Sequence, residues 1–251
     1  MLRRVAILLA AVLAFAGCSG GTRLAAGFGN GNSVHTLDVD GAGRSYRLYK
    51  PVGLPSSAPL VVMLHGGFGR AWNANGGGCC GRPAREGVDD IGFVRAVVAD
   101  IANNVSIDPA RVYVTGMSNG AIMSYTLACN TSIFAAIGVV SGTQLDPCQS
   151  PRPVSVIHIH GTADPLVRYH GGPGAGFARI DGPPVPDLNA FWREVNRCGA
   201  LDTTTEGPVT TSGATCADNR RVVLLTVDDA GHRWPSFATQ TLWRFFAAHF
   251  R

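Results

Sequence analysis

The stretch that most constrains the fold is RVYVTGMSNGAIMSYTLA, residues 111–128. Val112, Tyr113, Val114 and Thr115 form a short β-branched and aromatic run, which predicts a strand. Gly116-Met117-Ser118-Asn119-Gly120 breaks it, and an unbroken helix-forming run follows. A strand that stops at G-x-S-x-G and restarts as a helix is a nucleophile elbow, in which the glycines permit the sharp turn and the serine hydroxyl stands clear of it. The pentapeptide alone is a weak signal. Gly17-Cys18-Ser19-Gly20-Gly21 matches it too, but no strand precedes that copy and no helix follows it.

The chain around this stretch alternates strands with helices. Residues 34–40 and 45–50 alternate apolar and polar residues about Gly41-Ala42-Gly43, a hairpin signal. Leu60-Val61-Val62-Met63-Leu64 is a continuous apolar run, as for a strand buried on both faces, and it ends in His65-Gly66-Gly67-Phe68-Gly69. A glycine-rich loop follows. Val88, Ile91, Val94, Val97, Val98 and Ile101 then recur at helical spacing, and Asp108-Pro109 ends that helix. Beyond the elbow, strands are predicted over 134–140, 154–159 and 221–227, and helices over 187–196 and 240–250. Such alternation predicts a mostly parallel, doubly wound α/β sheet in one domain, residues 34–251.

The N-terminus addresses the chain elsewhere. MLRR is a basic start and VAILLAAVLAFA a short apolar run, so residues 1–18 read as a signal peptide. Small residues before Cys18 resemble a bacterial lipobox, with Phe15 where leucine is usual. Cys18 is then the lipidated N-terminus, and the alternative is plain cleavage and release. Residues 19–33 are rich in glycine and asparagine and read as a flexible tether. An extracellular or cell-surface location follows, with membrane contact only through the lipid. Net charge is +4; without Arg3 and Arg4 there remain 19 basic against 17 acidic residues. No basic stripe appears, which argues against a nucleic-acid partner, and a monomer is expected. Apart from Cys18 there are six cysteines, an even number that argues for disulfides in an exported chain. Chain neighbours pair most simply, Cys129 with Cys148 and Cys198 with Cys216. Cys79 and Cys80 are left either to bridge each other or to find partners elsewhere.

Serine acyl transfer needs a base, an acid that orients the base, and donors for the oxyanion. An α/β-hydrolase supplies them in the chain order Ser, Asp or Glu, His, each past a strand end. Ser118, Asp164 and His232 stand in that order and in those places. Gly66 and Gly67 after an earlier strand, with the N–H of Asn119, read as the oxyanion donors. Asp146, Asp228 and Asp229 are rival acids, the last two placed to solvate the histidine's own turn. His158 and His160 lie on one strand face, but no third ligand sits at metal spacing, so buried hydrogen-bonded histidines are expected and no metal. Phe68, Trp72 and Trp234 lie near these residues and are either substrate contacts or plain core.

HGGFG, WNANGGGCCG, VDDIGF, DPARVYVTGMSNG, HIHGTADP and AGHRWP together resemble the polyhydroxybutyrate depolymerase and feruloyl or acetylxylan esterase family of secreted serine esterases, some of them lipoproteins. The resemblance covers about residues 34–251. It implies Ser118 as nucleophile, His232 as base, Asp164 as acid, and Gly66, Gly67 and Asn119 at the oxyanion. It implies action on esters of short polyesters or acylated polysaccharide, with no cofactor. Ala230 and Ser236 replace glycines usual around the family's G-H-x-W-P. Between Leu64 and Arg111 the chain has room for one helix and no strand, so one helix and one strand of the usual fold are expected to be lacking after the HGG loop. The opening hairpin then either slides against the HGG strand or leaves an edge exposed. Two other readings share these residues: a surface-anchored binding protein that has lost catalysis, and an acyltransferase.

Overall fold

The computed structural model describes residues 8–13, 28–67, 70–76, 79–176 and 179–251. The described strands are β1 (Leu8–Leu13), β2 (Gly31–Val39), β3 (Ala42–Lys50), β4 (Ala58–Leu64), β5 (Ile107–Met117), β6 (Ala136–Val140), β7 (Ser155–Gly161), the short pair β8 (Gly172–Pro173) and β9 (Asp181–Gly182), β10 (Asp202–Glu206), β11 (Val209–Thr215) and β12 (Arg221–Val227). The helices are α1 (Gly81–Glu86), α2 (Asp90–Asn104), α3 (Asn119–Asn130), α4 (Val185–Val195) and α5 (Ala238–Ala247).

Apart from β8 and β9, the strands form one sheet in the order β10-β11-β12-β7-β6-β5-β4-β1-β3-β2. The six from β12 to β1 run parallel, and antiparallel hairpins extend both ends. The centre is therefore covered on both faces, which is why β4 and β6 are apolar runs without alternation. On one face α2, α3 and α4 meet the sheet through Val62, Leu64, Val97, Ile101, Tyr125, Leu127, Val156 and Trp192. On the other, α5 packs Leu242, Phe245 and Phe246 against Tyr113, Val140, Ile157 and Ile159. Tyr113 of the elbow strand stacks on Phe246 at 4.9 Å and donates its hydroxyl hydrogen to His249 O at 2.8 Å. Burial pushes its phenol up to about 12. The last helix thus clamps the strand that carries Ser118.

Four expectations change. Among the described residues no strand lies between β4 and β5, as expected, but two helices do where one was expected, the short α1 forming in the glycine-rich stretch read as loop. The place beside β4 is neither bare nor filled by the hairpin. Leu8–Leu13, in the expected leader, lies there, parallel to β4 (Ala10 beside Val62) and antiparallel to β3 (Ala10 beside Leu48). Both edges need a partner for their main-chain groups, and an apolar hexapeptide with a complete set of N–H and C=O groups satisfies both. A leader that is cleaved takes β1 with it. The tether expected to reach Ser33 stops earlier, because Gly31–Val39 is already paired with β3. Last, β10 and β11 carry no apolar alternation: Asp-Thr-Thr-Thr-Glu and Val-Thr-Thr-Ser-Gly-Ala-Thr pair through threonine hydroxyls, Thr203 with Ser212 and Thr205 with Thr210. Strands held by hydroxyl pairs give no hydrophobic period to read.

Disulfides join Cys129 with Cys148 and Cys198 with Cys216, and Cys79 bridges its neighbour Cys80. Cys18 and residues 19–27 lie outside the described residues.

Candidate active site

Ser118 sits between β5 and α3 with φ 57° and ψ −124°. A non-glycine residue in that region costs on the order of 1–3 kcal/mol and persists only where its surroundings dictate it. Here they do. A Cβ on Gly116 would stand 2.4 Å from Gly120 C, and one on Gly120 would stand 2.3 Å from Leu64 O. The two glycines let α3 press against β5 and the end of β4, so the turn between them has no room to relax. Ser118 N–H donates to Val140 O at 3.0 Å, which ties the elbow to the neighbouring strand end.

The next strand ends bring up the other candidates. Asp164 is 5% exposed in the turn after β7, and its Oδ2 accepts from His232 Nδ1 at 2.8 Å. Its Oδ1 accepts from the N–H groups of Leu166 and Val167 at 2.9 and 3.0 Å. Burial pushes the carboxyl up, but the bonds from His160, His232 and Val167 outweigh it and hold the group well below the usual carboxylate range. The group is therefore an ionised acceptor. His232 Nδ1 must carry the proton of that bond, which leaves Nε2 as the ring nitrogen turned away from the carboxylate. The loop bearing His232 is fastened at three points: Ala163 N–H to Ala230 O at 3.0 Å, Asp229 N–H to Thr162 Oγ1 at 2.9 Å, and Ser141 Oγ to Arg233 O at 3.3 Å. Val140 and Ser141 thus hold Ser118 on one side and the residue after His232 on the other.

The rival acids are engaged elsewhere. Asp146 accepts from Asn130 Nδ2 and Cys148 N–H, Asp228 from Thr162 Oγ1, and Asp229 is exposed.

Gly66 lies against the elbow: a Cβ there would stand 2.8 Å from Met117 O and 3.1 Å from Ser118 Cβ. Gly67 has φ 134°, a conformation glycine adopts freely. Asn119 opens α3, so its N–H is among the four with no partner inside the helix and sits at the positive end of the dipole. The region beside Ser118 can therefore take developing negative charge. Phe68 lies outside the described residues. Trp72 is fully buried and donates Nε1–H to His65 O at 2.9 Å, so of its two expected roles the structure gives it core. Trp234 is half-buried against the α5 side of the sheet, with Nε1–H on Thr239 Oγ1 at 3.0 Å.

Two features escape the sequence reading. The Asn119 side chain grips the main chain of Trp72 at both its N–H and its C=O, and a buried file of Tyr125, His158 and His160 runs to Asp164. The first had no signal beyond the amide; the second was visible as two histidines on one strand face but not as a chain. Both histidines are buried and hydrogen-bonded, as expected. Burial, then the neighbouring His160, push His158 far below the ordinary histidine range.

Comparison with known proteins places these residues in context. The family model described as "Esterase PHB depolymerase" matches residues 69–168. "Putative esterase NocK" of Nocardia uniformis subsp. tsuyamanensis is 30% identical over 78% of this chain and 72% of its own length. "Feruloyl esterase B" of Piromyces equi is 28% identical over 69% of this chain but only 33% of its own length. Among solved structures, an acetyl xylan esterase from Aspergillus awamori matches 86% of this chain and 99% of that one with a TM-score of 0.61 at 15% identity. A thermostable esterase matches 88% and 63% with a TM-score of 0.57, also at 15% identity. At these identities the structures establish the α/β-hydrolase fold.

Proposed function

Because the chain belongs to the PHB depolymerase esterase family and is a carboxylic ester hydrolase, we propose that Ser118 is its nucleophile, His232 its base and Asp164 the acid that orients the base. The observation that carries this reading is the 2.8 Å bond from His232 Nδ1 to Asp164, made while Ser118 is held at positive φ on the adjoining strand end. Ser118 Oγ attacks the ester carbonyl and its proton passes to His232 Nε2. The oxyanion is met by the N–H groups of Asn119 and Gly67, with Gly66 shaping the approach. The protonated imidazole returns its proton to the leaving alcohol, and an acyl-enzyme remains on Ser118. Water, deprotonated by His232, then releases the acid and restores the serine.

The substrate reading follows the relatives. Feruloyl and acetyl xylan esterases are similar to this chain, so the proposed esters are acyl groups on plant polysaccharide, with short polyesters as the second substrate of the family. Three disulfides fit an oxidising compartment. Export by residues 1–18, with Cys18 as lipid anchor, completes the proposal. The test is hydrolysis of p-nitrophenyl acetate or butyrate by the purified chain. Activity that disappears in Ser118→Ala supports the reading; equal activity in both proteins sinks it.

A further inference from the structure

Asp164 is reached by two histidines rather than one. His232 Nδ1 lies 2.8 Å from its Oδ2, and His160 Nε2 lies 3.4 Å from the same oxygen. His160 Nε2 also faces Val167 O at 2.8 Å. Both neighbours of that nitrogen are acceptors, so it carries a proton. The Val167 peptide closes a ring: its carbonyl accepts from His160 while its N–H donates to Asp164 Oδ1 at 3.0 Å. Behind His160 the file continues into the core, His160 Nδ1 to His158 Nε2 at 2.9 Å and His158 Nδ1 to Tyr125 Oη at 3.0 Å. With neutral rings the direction is set from the Val167 end. His160 donates through Nε2, so its Nδ1 accepts from His158 Nε2–H, and His158 Nδ1 accepts the Tyr125 hydroxyl hydrogen.

We propose that His160 is a positioning residue for hydrolysis, holding Asp164 directly and through the Val167 peptide in the orientation His232 uses, with His158 and Tyr125 holding its ring from behind. This rests on the reading of Asp164 and His232 as acid and base. Two packed strands and a helix already bury these side chains, so simple packing needs no imidazole at 160. Polar rings fully removed from water are costly unless every nitrogen is satisfied, and here each nitrogen has a partner leading to the carboxylate.

The groups that face this carboxylate and its histidine are few. Among the described residues they are His158 and His160 from β7, Tyr125 from α3 and Tyr169, edge-on to His160, from the following loop; Asp228 and Asp229, on the turn before His232, are exposed and bond Thr162 instead. When His160 is replaced by leucine the carboxylate loses one donor on Oδ2, and Val167 O loses the N–H from which it accepts. It then stabilises the His232 imidazolium more strongly and orients it less well.

The experiment compares kcat/KM against pH for p-nitrophenyl butyrate in wild type, His160→Leu, His160→Gln and Tyr125→Phe, with Ser118→Ala as control. The acidic limb reports the base in the free enzyme. His160→Leu is expected to move that limb upward by roughly half a pH unit or more and to lower the plateau about ten- to a hundredfold, the scale of a hydrogen bond to a charged group. His160→Gln, which keeps an N–H donor, is expected to recover most of both. Tyr125→Phe, which weakens the file at its far end, is expected to give a smaller shift of the same sign. That variant carries the test should His160→Leu not fold. A limb that stays in place in every variant while leucine and glutamine lower the plateau equally overturns the proposal. Wild-type activity equal to that of Ser118→Ala overturns instead the reading on which it rests.

Discussion

Asn119 holds the main chain of Trp72 at both ends: its Oδ1 accepts from Trp72 N–H at 2.6 Å, and its Nδ2 donates to Trp72 O at 3.2 Å. The residue after Ser118 therefore does two jobs. Its main chain opens α3, and its side chain splints the loop that follows Gly67. Trp72 in turn donates to His65 O, so the HGG segment is fixed from the elbow itself.

Asn119→Ala keeps the main-chain N–H but removes the splint. We expect a loss of about 1–3 kcal/mol, the cost of leaving the buried Trp72 N–H unpaired while Trp72 O keeps the Cys80 N–H, read as a lower denaturant midpoint with unchanged slope. The fall in kcat/KM on p-nitrophenyl butyrate should exceed what the folded fraction explains. An activity loss that only tracks unfolding means the loop does not depend on this contact.

Asp164→Asn keeps the shape of the acid and removes its charge. An acid-to-amide change in a Ser-His-Asp triad lowers kcat about 10⁴-fold, and a loss of several orders of magnitude is expected here. The variant also has a signature in stability. A carboxyl whose folded pKa is depressed stabilises the fold fully above its ordinary value near 4, and that contribution is lost as pH falls toward the depressed value. Melting temperature between about pH 5 and 2 should therefore drop less in Asp164→Asn than in wild type. Parallel curves would show that the buried bonds to Asp164 contribute nothing to the fold.

Gly120→Ala places a methyl 2.3 Å from Leu64 O and 2.6 Å from His65 O. Both are main-chain atoms at the end of a central strand and cannot rotate aside. Overpacking of this kind costs about 1–3 kcal/mol or more, or roughly 2–12 °C in melting temperature for a domain of this size. Esterase activity should fall further than stability, since α3 can only retreat by carrying Ser118 with it. Retention of wild-type activity and melting would mean the elbow has slack.

Removal of residues 1–27 deletes β1 and leaves the facing main-chain edges of β3 and β4 without their partner. The hairpin of β2 and β3 remains tied to α2 by the buried pair of Arg44 and Asp90 and by the Tyr46 hydroxyl, which donates to Asp100 at 2.6 Å. The shortened chain is expected to fold with a lower melting temperature and faster amide exchange at 45–49 and 60–64 than the full chain. Equal protection in both would mean the hairpin has closed onto β4.

The sequence alone was enough for the main alternation of strands and helices and for the choice of Ser118, Asp164 and His232 as the proposed catalytic residues. Local chemistry suffices for both: apolar runs of strand length, a helical period over 88–105, and Ser118, Asp164 and His232 each just past a strand end. The even cysteines with short separations were enough for two of the disulfides. What tertiary structure decided was which groups meet across long separations. No period in Thr-Thr-Thr marks β10, because its partners are hydroxyls on another strand. Nothing in Leu8–Leu13 distinguishes a leader from a strand, since both need a short apolar run, and only the space between β3 and β4 makes it one. Trp72 became core rather than pocket, and His160 became a second ligand of Asp164, because side-chain contacts between residues far apart in the chain leave no trace in local pattern. The pentapeptide marks Ser118 as the proposed nucleophile; the glycines packed against Leu64 decide how its turn is held, and the file behind Asp164 how that carboxylate is held.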